Sequence, residues 1–194
     1  GVVFAIFALI YISLPFVGNP NLGGRDFNTI ERLYSETRVI FYYLKMIFFP
    51  LLSDLSLYHD DFEISKNIIT PITTLYSIVG IFLISIFSLF LFKKLPLVLF
   101  AWGWFIISHL MESTFISLEL IHEHRNYFAS MGFIIAVVYG LSKFKFNKVR
   151  PLIYIVCAVY IMNLAFTTWQ RAVIWSNLVD HAAFEVEMHP TSDR

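Results

Sequence analysis

Residues 71–92, PITTLYSIVGIFLISIFSLFLF, carry no charged side chain over the length of a bilayer crossing. A spanning helix needs about 20 consecutive apolar residues, whereas a buried strand ends after roughly 4–8. A chain of 194 residues is long enough to be one soluble domain, but its composition points the other way. Hydrophobic residues make up 58% of it, charged residues only 14%, and 21 residues are Phe. Soluble domains carry about a quarter charged residues. Further apolar runs occupy residues 2–17, 96–111, 128–141 and 151–166. The expected fold class is all-α: a polytopic transmembrane helical bundle of about five spans. One short re-entrant or interfacial helix and an amphipathic C-terminal helix are expected to complete it.

Residues 39–52, VIFYYLKMIFFPLL, supply the short helix. Lys45 lies in the middle of this segment and Pro50 breaks its end. A lysine there snorkels cheaply from an interfacial helix but needs a partner at mid-bilayer, so re-entry is favoured over a full crossing. Residues 18–33 read as a loop, and residues 53–70 are polar and acidic, with Asp54, Asp60, Asp61 and Glu63.

Charge placement orients the bundle. Lys93 and Lys94, with the segment from Lys143 to Arg150, hold six of the 14 basic residues and none of the 14 acidic ones. By the positive-inside rule both turns face the cytoplasm. Residues 53–70, residues 113–127 and the C-terminal tail then share the outer side. The domain division follows: residues 1–168 are transmembrane, and residues 169–194 form an outer amphipathic linker. Trp175, Leu178, Ala182 and Val186 make its helical stripe, expected to dock on a soluble domain. Gly1 opens directly into an apolar run, and the chain is expected to be a piece of a longer protein.

Residues 113–127, STFISLELIHEHRNY, concentrate titratable groups between two apolar runs. Charges at a membrane edge are costly and are often functional. Glu119, Glu123, His124 and Arg125 are the candidates, with Tyr127 in the aromatic belt. Arg beside His binds phosphate oxygens through charge-assisted hydrogen bonds. The plainer reading is an ion-pair cluster anchoring two helices. His122 and His124 with His109 or Glu119 also offer a metal-ligand set, but no HExxH pattern and no cysteine accompanies them. No metal or other cofactor is expected. Tyr58-His59-Asp60-Asp61 reads as a solvated loop or helix cap more readily than as an acid–base pair. Arg38 and Lys45 either grip a lipid phosphate or snorkel. No Ser-His-Asp arrangement with recognisable context, glycine-rich phosphate loop or nucleic-acid-binding basic stripe is present.

Glu31-Arg32-Leu33, then Thr37-Arg38, then Tyr43-Leu44 with Phe49-Pro50-Leu51-Leu52 resembles a segment of the membrane O-mannosyltransferases with tetratricopeptide repeats. Glu123-His124-Arg125-Asn126-Tyr127 followed by Ser130-Met131-Gly132-Phe133 is similar to that family's motif at the start of a transmembrane helix. Trp175 and the terminal His189 to Arg194 are similar to the linker into its repeat array. His124 and Asn126 depart from the eukaryotic form of the motif and favour a bacterial relative.

The resemblance implies a type-C glycosyltransferase fold. Such enzymes transfer a sugar from a polyprenyl-phosphate-linked donor to a protein or glycan acceptor on the outer face. It places the catalytic acidic residue in a loop ahead of Gly1, so no catalytic residue is assigned in this chain. Arg125, His124 and Arg38 are expected to hold the carrier phosphate, with Glu119 and Glu123 orienting them and Tyr127 alongside. Expected partners are membrane lipids, the lipid-linked donor and the acceptor, in a bacterial inner membrane. The alternative is a non-enzymatic anchor presenting a tetratricopeptide repeat domain for envelope assembly.

Overall fold

The computed structural model describes residues 27–59, 61–110, 119–143 and 149–190. The expected span at residues 2–17, Asp60 and residues 111–118 and 191–194 lie outside the described residues. Among the described residues there are six α-helices and no strands. They are α1 (Thr29–Phe48), α2 (Thr73–Leu91), α3 (Pro96–Leu110), α4 (Arg125–Lys143), α5 (Arg150–Trp175) and α6 (Leu178–Met188). A short 3-10 turn, Leu52–Asp54, follows α1.

α1 starts well before the apolar segment that announces it. Asn28 caps it, accepting from the Ile30 and Glu31 amides at 2.9 Å, while the Glu31 carboxylate accepts from Asn28 N. This capping box satisfies three otherwise unpaired amides. The face buried at helical spacing is partly polar: Arg32, Ser35 and Glu36 lie on it with Val39, Ile40, Tyr43 and Met46. Arg32 and Glu36 form an ion pair of 2.9 Å at 1% and 2% exposure, so removing either would strand a buried charge.

Beyond Phe48 the chain turns at Pro50 and runs back along α1. Asp54 returns to Lys45, with both carboxylate oxygens 2.8 Å from Nζ. Further back, the Glu63 carbonyl accepts from Arg38, and Ser65 N donates to Ser35 Oγ at 2.8 Å. Helix and return segment therefore begin and end on one side and form a hairpin. Near its tip the Tyr160 hydroxyl of α5 donates to the Ile47 carbonyl at 2.5 Å, satisfying one of the last carbonyls of the helix.

α3 and α4 form the most extensive helix pair. Gly132 allows it: a Cβ there would stand 2.8 Å from Trp104 Cβ. Small residues at such contacts let helices in lipid approach closely. α2 packs beside α1 and α3, and the Trp102 indole donates to Ser85 Oγ at 2.9 Å.

Two helices, α2 and α5, are long and apolar enough to cross a membrane by length and composition. Only 17% and 6% of their apolar windows are buried. α3 is apolar but has 15 residues, about 22 Å, short of the ~30 Å hydrocarbon core. α4 begins with Arg125 and Asn126, which lower its hydropathy. Among the described residues the structure is thus all-helical with two candidate spans, and the expected bundle of about five is not confirmed.

Candidate functional site

Tyr43 fixes the segment that precedes α4. It is fully buried on α1, and its hydroxyl accepts from the His122 amide at 2.9 Å. Its ring stacks on His109 of α3 at 4.7 Å, and its carbonyl accepts from Asn126 Nδ2 at 2.9 Å. Three helices thereby converge on one residue, and residues 119–124 are held without being helical.

Arg125 opens α4 and folds back over this segment. Its Nη1 donates to the Glu119 carbonyl at 2.7 Å and lies 3.4 Å from the Leu120 carbonyl. The Tyr43 hydroxyl also hydrogen-bonds to Arg125. The long side chain, which would otherwise lose ~2 kcal/mol of rotamer freedom on meeting a ligand, is already positioned. His124 is exposed beside it, its ring centroid 4.0 Å from that of His122.

These two side chains border a groove of about 780 Å³ between α3 and α4. Leu99, Gly103, Trp104, Ile107 and Phe128 form its apolar walls. The Trp104 indole donates to the Phe128 carbonyl at 3.0 Å and fixes one wall. Leu99 to Ile107 rises about 12 Å along α3. The groove is therefore a long apolar surface that also carries two basic side chains.

The other expected site residues are dispersed. Glu119 contributes its main-chain carbonyl to Arg125 and lies ahead of α4, which begins only at Arg125. The Glu123 carboxylate pairs with Arg171 of α5 at 2.5 Å. Burial pushes its pKa up, against the opposing pull of Arg171. Tyr127 is 76% exposed and does not line the groove. Arg38 lies on another cavity, of about 460 Å³, with Tyr42, Lys45 and Phe62. There its Nη1 donates to the Glu63 carbonyl at 2.6 Å and its guanidinium stands 4.7 Å over the Phe62 ring. Of the six expected site residues, the structure brings Arg125 and His124 together on the groove. Among the described residues no group of three or more His, Cys, Asp or Glu side chains comes together as a metal site.

A second polar cluster escaped the sequence reading because its members are far apart in the chain. Ser56 Oγ lies 2.5 Å from His189 Nε2, and His189 Nδ1 lies 2.8 Å from Asp61 Oδ1. The Leu57 amide donates to the Glu185 carboxylate at 2.9 Å, and the Tyr58 amide at 3.4 Å. Although this is a Ser-His-Asp sequence of contacts, Ser56 is 1% exposed and closed off from a substrate. It works as a latch, fastening the polar face of α6 to the return segment. The apolar stripe of α6 is left outward, with Leu178 87% and Val186 68% exposed. His59 stands against this latch, its ring 5.0 Å from that of His189. Burial and the neighbouring His189 hold its pKa down at about 4.

The segment boundary expected at residue 168 falls inside α5, which runs unbroken to Trp175. No protein-family model, curated protein or solved structure matches the chain.

Proposed function

We propose that this chain is the membrane part of a type-C glycosyltransferase, a bacterial relative of the O-mannosyltransferases with tetratricopeptide repeats. In this reading a bundle of about five spans lies in the inner membrane, with Arg125, α6 and the return segment on the periplasmic side. The donor is a polyprenyl-phosphate-linked sugar and the acceptor a protein or glycan.

The observation that carries the reading is the α3–α4 groove, apolar along its walls and bordered by Arg125 and His124. An isoprenoid chain would lie along Leu99, Gly103 and Ile107, and its phosphate would meet the two basic side chains. Prearranged donors that neutralise charge on a departing phosphate stabilise the transition state without reorganisation. No Asp or Glu lines the groove, and the acidic catalytic role is left to residues outside it.

The test is sugar transfer by the full-length protein. Arg125→Ala and Gly103→Leu are expected to abolish transfer while membrane insertion is kept. A Cβ at Gly103 meets nothing within 4 Å, and Gly103 lines the groove, so leucine there occupies groove space. Wild-type transfer by both variants would defeat the proposal.

The outward apolar stripe of α6 favours a second reading, a non-enzymatic anchor that presents a repeat domain for envelope assembly. Under that reading both groove variants behave as wild type, whereas Leu178→Asp disrupts assembly.

A further inference from the structure

We propose that a second cavity, bounded by α2, α3 and α4 at the end away from Arg125, binds an anionic phospholipid of the cytoplasmic leaflet. The proposal rests on the membrane placement given above but not on glycosyl transfer. The cavity has a volume of about 660 Å³. Ala101, Trp102, Phe133, Val137 and Gly140 give it apolar walls that suit acyl chains.

Lys94, just beyond α2, and Lys143, at the end of α4, both line it, and no acidic residue does. Lys143 is the last residue of α4 and Arg125 the first, about 27 Å apart along the helix. The two cavities therefore address opposite leaflets. One lysine from each basic stretch read as cytoplasmic, Lys94 and Lys143, thus reaches one apolar opening, although residues 95–142 separate them in the chain. Lysines at the cytoplasmic end of an interhelical pocket complement an anionic headgroup, and a zwitterionic headgroup offers them no net charge. Gly140 makes the idea testable, because a Cβ there meets nothing within 4 Å and points at open space.

The experiment is native mass spectrometry of the full chain, purified in mild detergent and exposed to equal amounts of phosphatidylglycerol and phosphatidylcholine. Wild type is expected to retain phosphatidylglycerol preferentially. Lys94→Gln and Lys143→Gln should each weaken retention roughly fivefold. Gly140→Leu should remove it while melting no lower than wild type, since leucine is the better helix former. Arg125→Ala should leave it unchanged, which separates this site from the carrier groove. Equal retention of the two lipids, retention of neither, or undiminished phosphatidylglycerol on Gly140→Leu would overturn the proposal. So would a loss of phosphatidylglycerol on Arg125→Ala.

Discussion

Replacing Arg171 by Ala tests how the groove is held, because it removes the partner of a carboxylate buried beneath the Arg125 segment. Glu123 is 14% exposed and Arg171 31%, and one carboxylate oxygen of Glu123 has no hydrogen-bond partner among the described residues. Breaking a fully buried pair costs about 3–5 kcal/mol. The exposure of Arg171 reduces the expectation here to about 1–3 kcal/mol. The sign of the pH dependence follows from the raised pKa of Glu123. Without Arg171 that pKa climbs further, so the folded variant binds a proton that the unfolded chain does not. Stability of the variant must then fall as pH rises through the window above the ordinary glutamate value. The assay is denaturant titration in mixed micelles at pH 5 and pH 8 for Arg171→Ala, Glu123→Gln and the double variant. The deficit of Arg171→Ala should be larger at pH 8, with a coupling of about 1 kcal/mol or more in the cycle. A pH-independent deficit, or additive single effects, would refute the reasoning.

Two further expectations follow from packing and burial. Gly132→Ala should destabilise by about 1–3 kcal/mol, because its Cβ would overlap Trp104, despite a helix-propensity gain of ~1 kcal/mol. Gly103→Ala, on α3 and facing open space, should stabilise by up to ~1 kcal/mol; equal effects in unfolding titrations would contradict the α3–α4 packing. His59, held down at about 4 beside His189, Asp61, Glu185 and Asp54, favours folding fully above the unfolded value near 6.5. That contribution, at most about 3 kcal/mol, is lost as pH falls toward 4. His59→Asn should flatten the pH dependence of the unfolding midpoint between 6.5 and 4, and an unchanged slope would show that the latch does not depend on this ring.

The helices were legible from the sequence where one property dominated. α2 and α5 follow from uncharged runs alone and the end of α1 from Pro50, whereas the Asp54 partner of Lys45 was not legible. The start of α1 was missed because residues 18–33 are polar, yet Asn28 and Glu31 already carried the capping-box signal. Periodicity identified α6 but not the hold that the return segment has on its polar face. Its apolar stripe points outward, because Glu185 and His189 find better partners in Leu57, Tyr58, Ser56 and Asp61 than Leu178 finds in any neighbour. At the site, Arg125 and His124 were readable as local charges in an apolar setting. Tyr43 and Arg171 were not, since their roles depend on tertiary contacts across most of the chain. Arg38 was grouped with Arg125 by charge type, and the return segment claims it instead.

The groove itself is tested most directly by the lipid that co-purifies with the protein. Native mass spectrometry of wild type, His124→Ala and Arg125→Ala in the presence of polyprenyl phosphate reads its occupancy. The account predicts polyprenyl phosphate on wild type, less on His124→Ala, and none on an Arg125→Ala protein that still inserts. Equal occupancy of all three would contradict a carrier-binding role for the α3–α4 groove.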